Sequence, residues 1–403
     1  MPPKKKAEPV KKVILGRASN TLRMGLVGLP NVGKSTTFNT LSNLSVPAEN
    51  YPFCTIDPTE AKIYIPDKRF DRLVDMYNPK SKVAASISIF DIAGLVAGAS
   101  EGEGLGNAFL SHIQAVDGIF HVVRAFPNEE VMHNEGDVNP IRDMEIITNE
   151  LFQKDLQHID RLLEDLNRSI ARKNQKPDVE ERDLLLKCKE MLTEEKKPIR
   201  DGTWNGKEIE TLNKHLFMSS KPVVYLVNIG RDEYIAKKNK WLAKIQKWIT
   251  ENGGGPIVPY SAEYEAEVLA TAGDPAKEAR DEAAKGLGGP TMIHKIVNVG
   301  YRTLRLIHYF TAGEDEVKCW TIREGTKAPG AAGVIHTDFE RGFICAEVMK
   351  YADLDRLGSE NEVKAEGLYL QKGKDYEVED GDVMYFKFNV TTKAKKIDKN
   401  AGK

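Results

Sequence analysis

Residues 24–38 read MGLVGLPNVGKSTTF, and the reading of this stretch decides the fold. Met24-Gly25-Leu26-Val27 is a short apolar run with the length of a strand. Gly28-Leu29-Pro30-Asn31-Val32-Gly33-Lys34-Ser35 matches G-x-x-x-x-G-K-[ST], and Phe38, Leu41 and Leu44 follow at helical spacing. Strand, glycine-rich turn and helix in that order form a phosphate-binding loop. The glycines allow a tight turn that aims successive backbone N–H groups inward, and the helix start adds its dipole. Asn31, Val32, Gly33, Lys34, Ser35 and Thr36 are the expected phosphate-side contacts of a nucleotide. Lys34 is expected against the β- and γ-phosphates, with the Ser35 hydroxyl on Mg²⁺.

Three further pieces lie downstream in the order a nucleotide switch needs. Thr55, in YPFCT (51–55), offers a hydroxyl to the same Mg²⁺ from a loop. Asp91-Ile92-Ala93-Gly94 closes a strand, so Asp91 can hold a metal-bound water and the Gly94 N–H can reach the γ-phosphate. Leu95 stands where many P-loop GTPases carry a water-orienting glutamine, and an alkyl side chain orients nothing. The glycine-rich stretch 98–106 (GASEGEGLG) is expected to be a mobile loop. His112 behind it is the candidate to orient the attacking water, with plain helix packing as the alternative.

Base recognition falls on Val227-Asn228-Ile229-Gly230-Arg231-Asp232. Guanine is normally read here by N-K-x-D, whose Asp accepts from the base. In this chain Ile229 takes the Lys place and Arg231 the Asp place. A guanidinium only donates, so guanine selectivity is expected to be lost, unless Asp232 slips into register. Ser261-Ala262, after a later strand, fits the last base-side loop.

Strand-like runs at 87–91, 118–123, 222–228 and 256–260, separated by helices, predict a parallel α/β sheet covered on both faces. The gap between the second and third of these is too long for one crossover helix. It holds Ile147, Leu151, Leu156, Ile159, Leu163, Leu166 and Ile170, then Pro177, then Leu184, Leu185, Cys188, Met191 and Leu192. That pattern predicts two amphipathic helices in an antiparallel hairpin, inserted into the sheet domain as a structural insertion or a partner-binding arm. Residues 271–290 read as loop and 291–309 as helix. Alternating runs at 317–322, 343–348 and 382–388 then predict a small C-terminal β domain.

Composition sets outer limits. The 403 residues suffice for two or three domains, and no run of about 18 apolar residues exists to cross a membrane. Cys54, Cys188, Cys319 and Cys345 lie far apart, without a C-x-x-C pair, as expected for reduced buried thiols of a cytosolic protein. The net charge is −2, yet residues 1–12 and 393–403 carry +4 each, leaving −10 on the body. Basic tails suggest loose contact with a polyanion such as RNA, or simple solubilising tails. The N-terminus has no apolar segment of a secretory signal, and Pro2-Pro3-Lys4-Lys5-Lys6 suits a weak nuclear signal.

With these residues in place, the chain resembles the Obg-like ATPases, the YchF subfamily of translation-factor-related P-loop proteins. The matching stretches are GLPNVGKST (28–36), NYPFCTIDP (50–58), DIAGLV (91–96), GLGNAFLSHI (104–113), DGIFHVVRAF (117–126), NKHLFMSSKPVVYLVN (213–228) and residues 320–351. The resemblance implies a P-loop G domain (21–135 and 221–306), a helical coiled-coil insertion (136–220) and a β-grasp TGS domain (307–390), between basic tails at 1–20 and 391–403. It also implies slow ATP hydrolysis to ADP with Mg²⁺, Ser35 and Thr55 as metal ligands, adenine contacts at Asn228 and the Ile229 backbone, and His112 as the flexible-loop histidine. Implied partners are the ribosome, its large subunit first, and ribosomal RNA, with no membrane. The expected protein is a cytoplasmic monomer or weak homodimer. The family's Asn-x-x-Glu is broken here by Arg231, which bears on adenine binding. The alternatives are a true GTPase using Asp232, and a nucleotide-gated ribosome-binding module with negligible turnover.

Overall fold

A computed structural model describes residues 15–17, 19–44, 60–92, 94, 111–128, 136–173, 175–273 and 277–389. The chain divides into two compact units, Met1–Ile65 with Ser86–Leu304, and Pro66–Ala85 with Arg305–Lys403.

The strands of the first half are β1 (Arg23–Val27), β2 (Glu60–Tyr64), β3 (Ser81–Val83), β4 (Ser86–Asp91), β5 (Gly118–Arg124), β6 (Val223–Asn228) and β7 (Ile257–Tyr260). All but β3 form the six-stranded sheet of the first unit, in the order β2-β4-β1-β5-β6-β7. β5 and β6 are buried at every residue, as strands covered on both faces must be. The sheet is parallel except at one edge: β2 runs antiparallel to β4, with Ile63 opposite Ile87. The five strands expected from the sequence are mutually parallel, as predicted. β2, which the sequence reading did not include, adds the antiparallel edge, where a strand can pair without a covering crossover helix.

Parallel register has a consequence for the site. Leu26 pairs with Asp91, Val27 with His121, Arg124 with Asn228, and Asn228 with Tyr260. The ends of these strands thus bring Asp91, Arg124, Asn228 and Tyr260, far apart in sequence, to the edge where β1 opens into the phosphate loop. Chain order reverses on either side of β1, which is where open α/β sheets bind ligands.

Helix α1 (Lys34–Ser42) follows that loop, and α2 (Lys68–Tyr77) belongs to the second unit. The inserted hairpin is α3 (Pro140–Lys173) and α4 (Lys176–Thr193), and Pro177 sits in the first turn of α4, where its missing N–H costs nothing. Phe152, Ile159, Leu184, Leu185, Cys188 and Leu192 bury their side chains together. α5 (Gly206–His215) adds Leu212 to this core and starts with a complete capping box, Asn205 with Glu208. Then come α6 (Arg231–Ile235), α7 (Leu242–Glu251), α8 (Ala262–Ala272), α9 (Lys277–Leu287) and α10 (Ile293–Thr303).

Two local expectations fail here. Much of 271–290, read as loop, is α9; its sequence KEARDEAAKGL is rich in strong helix formers, though it buries only Arg280 and Ala284. The helix expected to run to Tyr309 ends at Thr303. Arg305 takes a left-handed backbone (φ 52°), and Leu306–Ala312 becomes β8, in keeping with its β-branched and aromatic residues.

The second unit is a β-grasp. β8 pairs antiparallel with β9 (Glu316–Arg323) and parallel with β12 (Asp382–Phe388), which pairs antiparallel with β10 (Phe343–Lys350). β11 (Leu370–Lys372) and β3 close the edges. α11 (Ala328–Ile335) lies against the core of Tyr309, Ile322, Ala346, Val348 and Met384. Residues 66–85 were expected within the G domain but group here. β3 pairs with β9, and Arg69 bonds Asp67 (2.7 Å) and Asp380 (2.9 Å) while His308 Nε2 lies 2.8 Å from Asp67. A three-residue strand and an ion cluster carry too little hydrophobic pattern to be read in advance.

Cys188, Cys319 and Cys345 are buried free thiols, and burial pushes the Cys188 thiol up to about 12. Cys54 lies outside the described residues. No helix among the described residues is long and apolar enough to cross a membrane.

Candidate nucleotide site

The phosphate side is built from the β1–α1 junction. Gly33 precedes α1 with φ 99°, a left-handed backbone that a side chain resists, and a Cβ there would fall 2.4 Å from Asn228 Nδ2. Asn31 is also left-handed (φ 62°), which asparagine tolerates best after glycine. Val32 is buried, whereas Ser35 and Thr36 are exposed at the helix start. Lys34 is buried, and its Nζ donates to the Leu29 carbonyl at 2.7 Å. Burial lowers its pKa to about 8, with the Asp91 carboxylate opposing the shift.

Asp91 comes from the end of β4, and its Oδ2 accepts from Ser35 Oγ at 3.3 Å. Burial raises the Asp91 pKa, while the Ser35 hydroxyl and Lys34 pull it down. Two of the three side chains expected at Mg²⁺, Ser35 and Asp91, therefore face each other. A hydroxyl and a carboxylate fit an ion that takes most of its oxygens from phosphate and water. Gly94 approaches the loop so closely that a Cβ would sit 3.1 Å from both Lys34 Nζ and Pro30 N. Thr55, Leu95 and the 98–106 loop lie outside the described residues. His112 is exposed, in a helical stretch at 111–115.

The base side depends on side chains from distant segments. Asn228 is buried; its Nδ2 donates to the Val32 carbonyl (3.0 Å) and its Oδ1 accepts from the Ala262 N–H (2.9 Å). One amide thus ties the phosphate loop to β6 and α8. The Ile229 N–H is spent on the Tyr260 carbonyl (2.9 Å), so what its backbone can offer a base is the carbonyl. Ser261 is buried as the N-cap of α8, accepting from the Tyr264 N–H, so its hydroxyl serves the helix. Arg231, first residue of α6, is gripped by Glu267 of α8, Nε to Oε2 at 2.5 Å and Nη2 to Oε1 at 3.1 Å. A contact to Asp232 lies at 3.2 Å. Asp232 itself is 95% exposed and paired only at the surface.

Sequence reasoning did not assign Arg124, Tyr260 or Glu267. Arg124 is buried at the end of β5, donating to the carbonyls of Asn31 (3.4 Å), Phe126 (3.3 Å) and Asn128 (3.2 Å), and lies 4.6 Å over the Phe126 ring. A charged residue closing an otherwise uncharged, largely apolar strand was the available signal. Tyr260 meets Thr37 of α1 at 2.5 Å, and Glu267 carries no signal beyond its charge.

Known proteins match this arrangement. Residues 23–229 match a family described as 50S ribosome-binding GTPase, and residues 306–389 match the YchF GTPase C-terminal family, described as a protein of unknown function. "Obg-like ATPase 1" of Caenorhabditis elegans is 54% identical over 390 residues, 96% of this chain and 98% of that protein. The chain belongs to the Obg-like ATPase family. The human "Obg-like ATPase 1" is 50% identical over 98% of this chain and the whole of that protein. The solved YchF GTPase of Schizosaccharomyces pombe superposes with a TM-score of 0.84 at 48% identity, covering 93% of this chain and all of that one. The resemblance read from the motifs is thereby confirmed, and with it the P-loop fold and a nucleotide-hydrolase class. Obg-like ATPase relatives carry an ATPase name, whereas the solved neighbour and the first family model carry a GTPase name.

Proposed function

We propose that this chain is an ATP-hydrolysing switch that acts with the ribosome in the cytoplasm, as a monomer or weak homodimer. The observation that carries the adenine preference is Arg231. At the position that reads guanine there is a donor-only group, already neutralised by Glu267. The description of the matching family as ribosome-binding and the basic tails support the partner, with the large subunit and its RNA as the docking surface.

Water attacks the γ-phosphorus in line, the bond to the β–γ bridging oxygen breaks, and no covalent intermediate forms. Lys34 and the amides of residues 31–36 hold the developing charge, and the Gly94 N–H faces the γ-phosphate. Ser35, Thr55 and Asp91 would hold Mg²⁺, which supplies positive charge to the β- and γ-oxygens when bound. His112 orients the water, since Leu95 does not. Departure of the γ-phosphate releases Thr55 and Gly94 and so changes the surface offered to a partner.

Competition of ATP and GTP for one fluorescent nucleotide tests the base; a preference for GTP refutes the adenine reading. Phosphate release with and without purified ribosomes tests turnover. No release in either condition would make the chain a nucleotide-gated binding module. His112→Ala is expected to slow release several-fold while sparing affinity, and unchanged turnover removes His112 from the mechanism.

A further inference from the structure

The Arg231–Glu267 pair has a geometry that bears on how the base is told apart. α6 begins at Arg231 directly after β6, and α8 begins at Ala262, whose N–H is held by Asn228. Because the same Asn228 amide holds the Val32 carbonyl, the two helix starts flank the mouth of the phosphate loop. Arg231 and Glu267 bridge these helices while remaining about one-third exposed, at 32% and 37%. They are neither sealed in a core nor free on the surface, so part of each side chain is open to a ligand.

We propose that Glu267, presented by Arg231, is the acidic group that reads the purine, and that Arg231 excludes guanine. This rests on the adenine reading above. A carboxylate accepts along two converging and two diverging lone-pair directions. Arg231 takes one hydrogen bond to each oxygen, Oε2 at 2.5 Å and Oε1 at 3.1 Å, and so occupies the converging pair. The diverging directions remain. One of them serves a single N–H of the adenine exocyclic amine. They cannot serve the parallel N1–H and N2–H₂ of guanine, which need two oxygens facing the same way. The guanidinium also sets its positive side toward those donors, a repulsion aimed at the wrong base.

The test uses the full chain with Mg²⁺, displacing a fluorescent ATP analogue with ATP, GTP or tripolyphosphate, which has no base. Wild type is expected to prefer ATP. In Glu267→Ala, ATP affinity is expected to fall about tenfold, the scale of one hydrogen bond to a charged group, with tripolyphosphate unchanged. In Arg231→Ala, the freed carboxylate is expected to narrow the ATP-to-GTP ratio by about tenfold, chiefly through tighter GTP. Ratios within twofold of wild type in both variants overturn the proposal. So does a parallel loss of tripolyphosphate affinity, which would make the pair a prop for the loop. Wild type preferring GTP overturns the adenine reading as well; wild type preferring ATP with unmoved variants overturns this inference alone.

Discussion

The two ends of the nucleotide site are built on different principles. At the phosphate end the ligand-facing groups are mostly backbone, set by a contiguous loop, with Gly33 and Asn31 in left-handed conformations and Lys34 folded over the turn. At the base end, on the reading proposed above, they are side chains from separate segments: Arg231 opens α6 and Glu267 sits inside α8. The difference teaches that the phosphate loop is set mostly by one contiguous motif. Base choice, on that same reading, rests on a contact between two helices and so on tertiary structure. Asn228 is the joint between them, since one amide holds both Val32 and Ala262.

If the contrast holds, the largest effect belongs to the phosphate end. Lys34→Ala is expected to weaken ATP and GTP alike by more than about a hundredfold, because it removes the charge-assisted contact to the β- and γ-phosphates. Calorimetric affinity near wild type in that variant would break the phosphate-loop assignment. Gly94→Ala puts a Cβ against the Pro30 backbone and Lys34 Nζ at 3.1 Å, so the loop must shift. Its phosphate-release rate is expected to fall on the order of tenfold to a hundredfold, with a smaller loss in binding, as for other displaced catalytic donors.

The joint should behave as neither end does. Asn228→Ala strips the partners from a buried carbonyl and a buried N–H, costing about 1–3 kcal/mol each by melting or denaturant titration. Affinity for ATP and for tripolyphosphate should fall together, about tenfold. If only ATP falls, Asn228 belongs to the base end and the picture of a joint is wrong.

A pH series sharpens the comparison with the mildest change. The Lys34 amine is pushed down to about 8 by burial, and the phosphates need it protonated. Below about pH 8 the ammonium is already present and Lys34 adds no pH dependence. Above it, binding must take up a proton, so affinity falls as pH rises, approaching about tenfold per pH unit. Calorimetry in buffers of different ionisation enthalpy counts that proton. The ATP-to-GTP ratio should stay constant across the series, since the Arg231–Glu267 pair keeps its charges; Arg231 is raised and Glu267 lowered by each other.

Legibility followed the range of the interactions. The strand–loop–helix of 24–42 was readable because each residue's role depends on near neighbours. The helical hairpin was readable from its apolar spacing, although the outer end of α3 buries little: Leu156, Leu163 and Leu166 are only partly covered. The segment 66–85 was not readable, since α2 buries only Phe70 and Leu73 and is held to its unit by the Arg69–Asp67–Asp380 cluster. α9 was missed because a polar, well-propensed helix shows no apolar stripe. β8 was missed because its apolar run continues that of α10, and only the left-handed Arg305 separates them.

By itself, then, the amino-acid order determined the phosphate loop, its lysine and hydroxyl, and the absence of a guanine-reading acceptor at position 231. Those follow from covalent neighbours and from the donor or acceptor character of single side chains. Only the tertiary structure decided what Arg231 does instead, which carboxylate it holds, and how Asn228 couples the two ends. Hydrogen bonds between residues about 36 and 196 positions apart exist only once parallel strand register and helix packing have brought their atoms within about 3 Å.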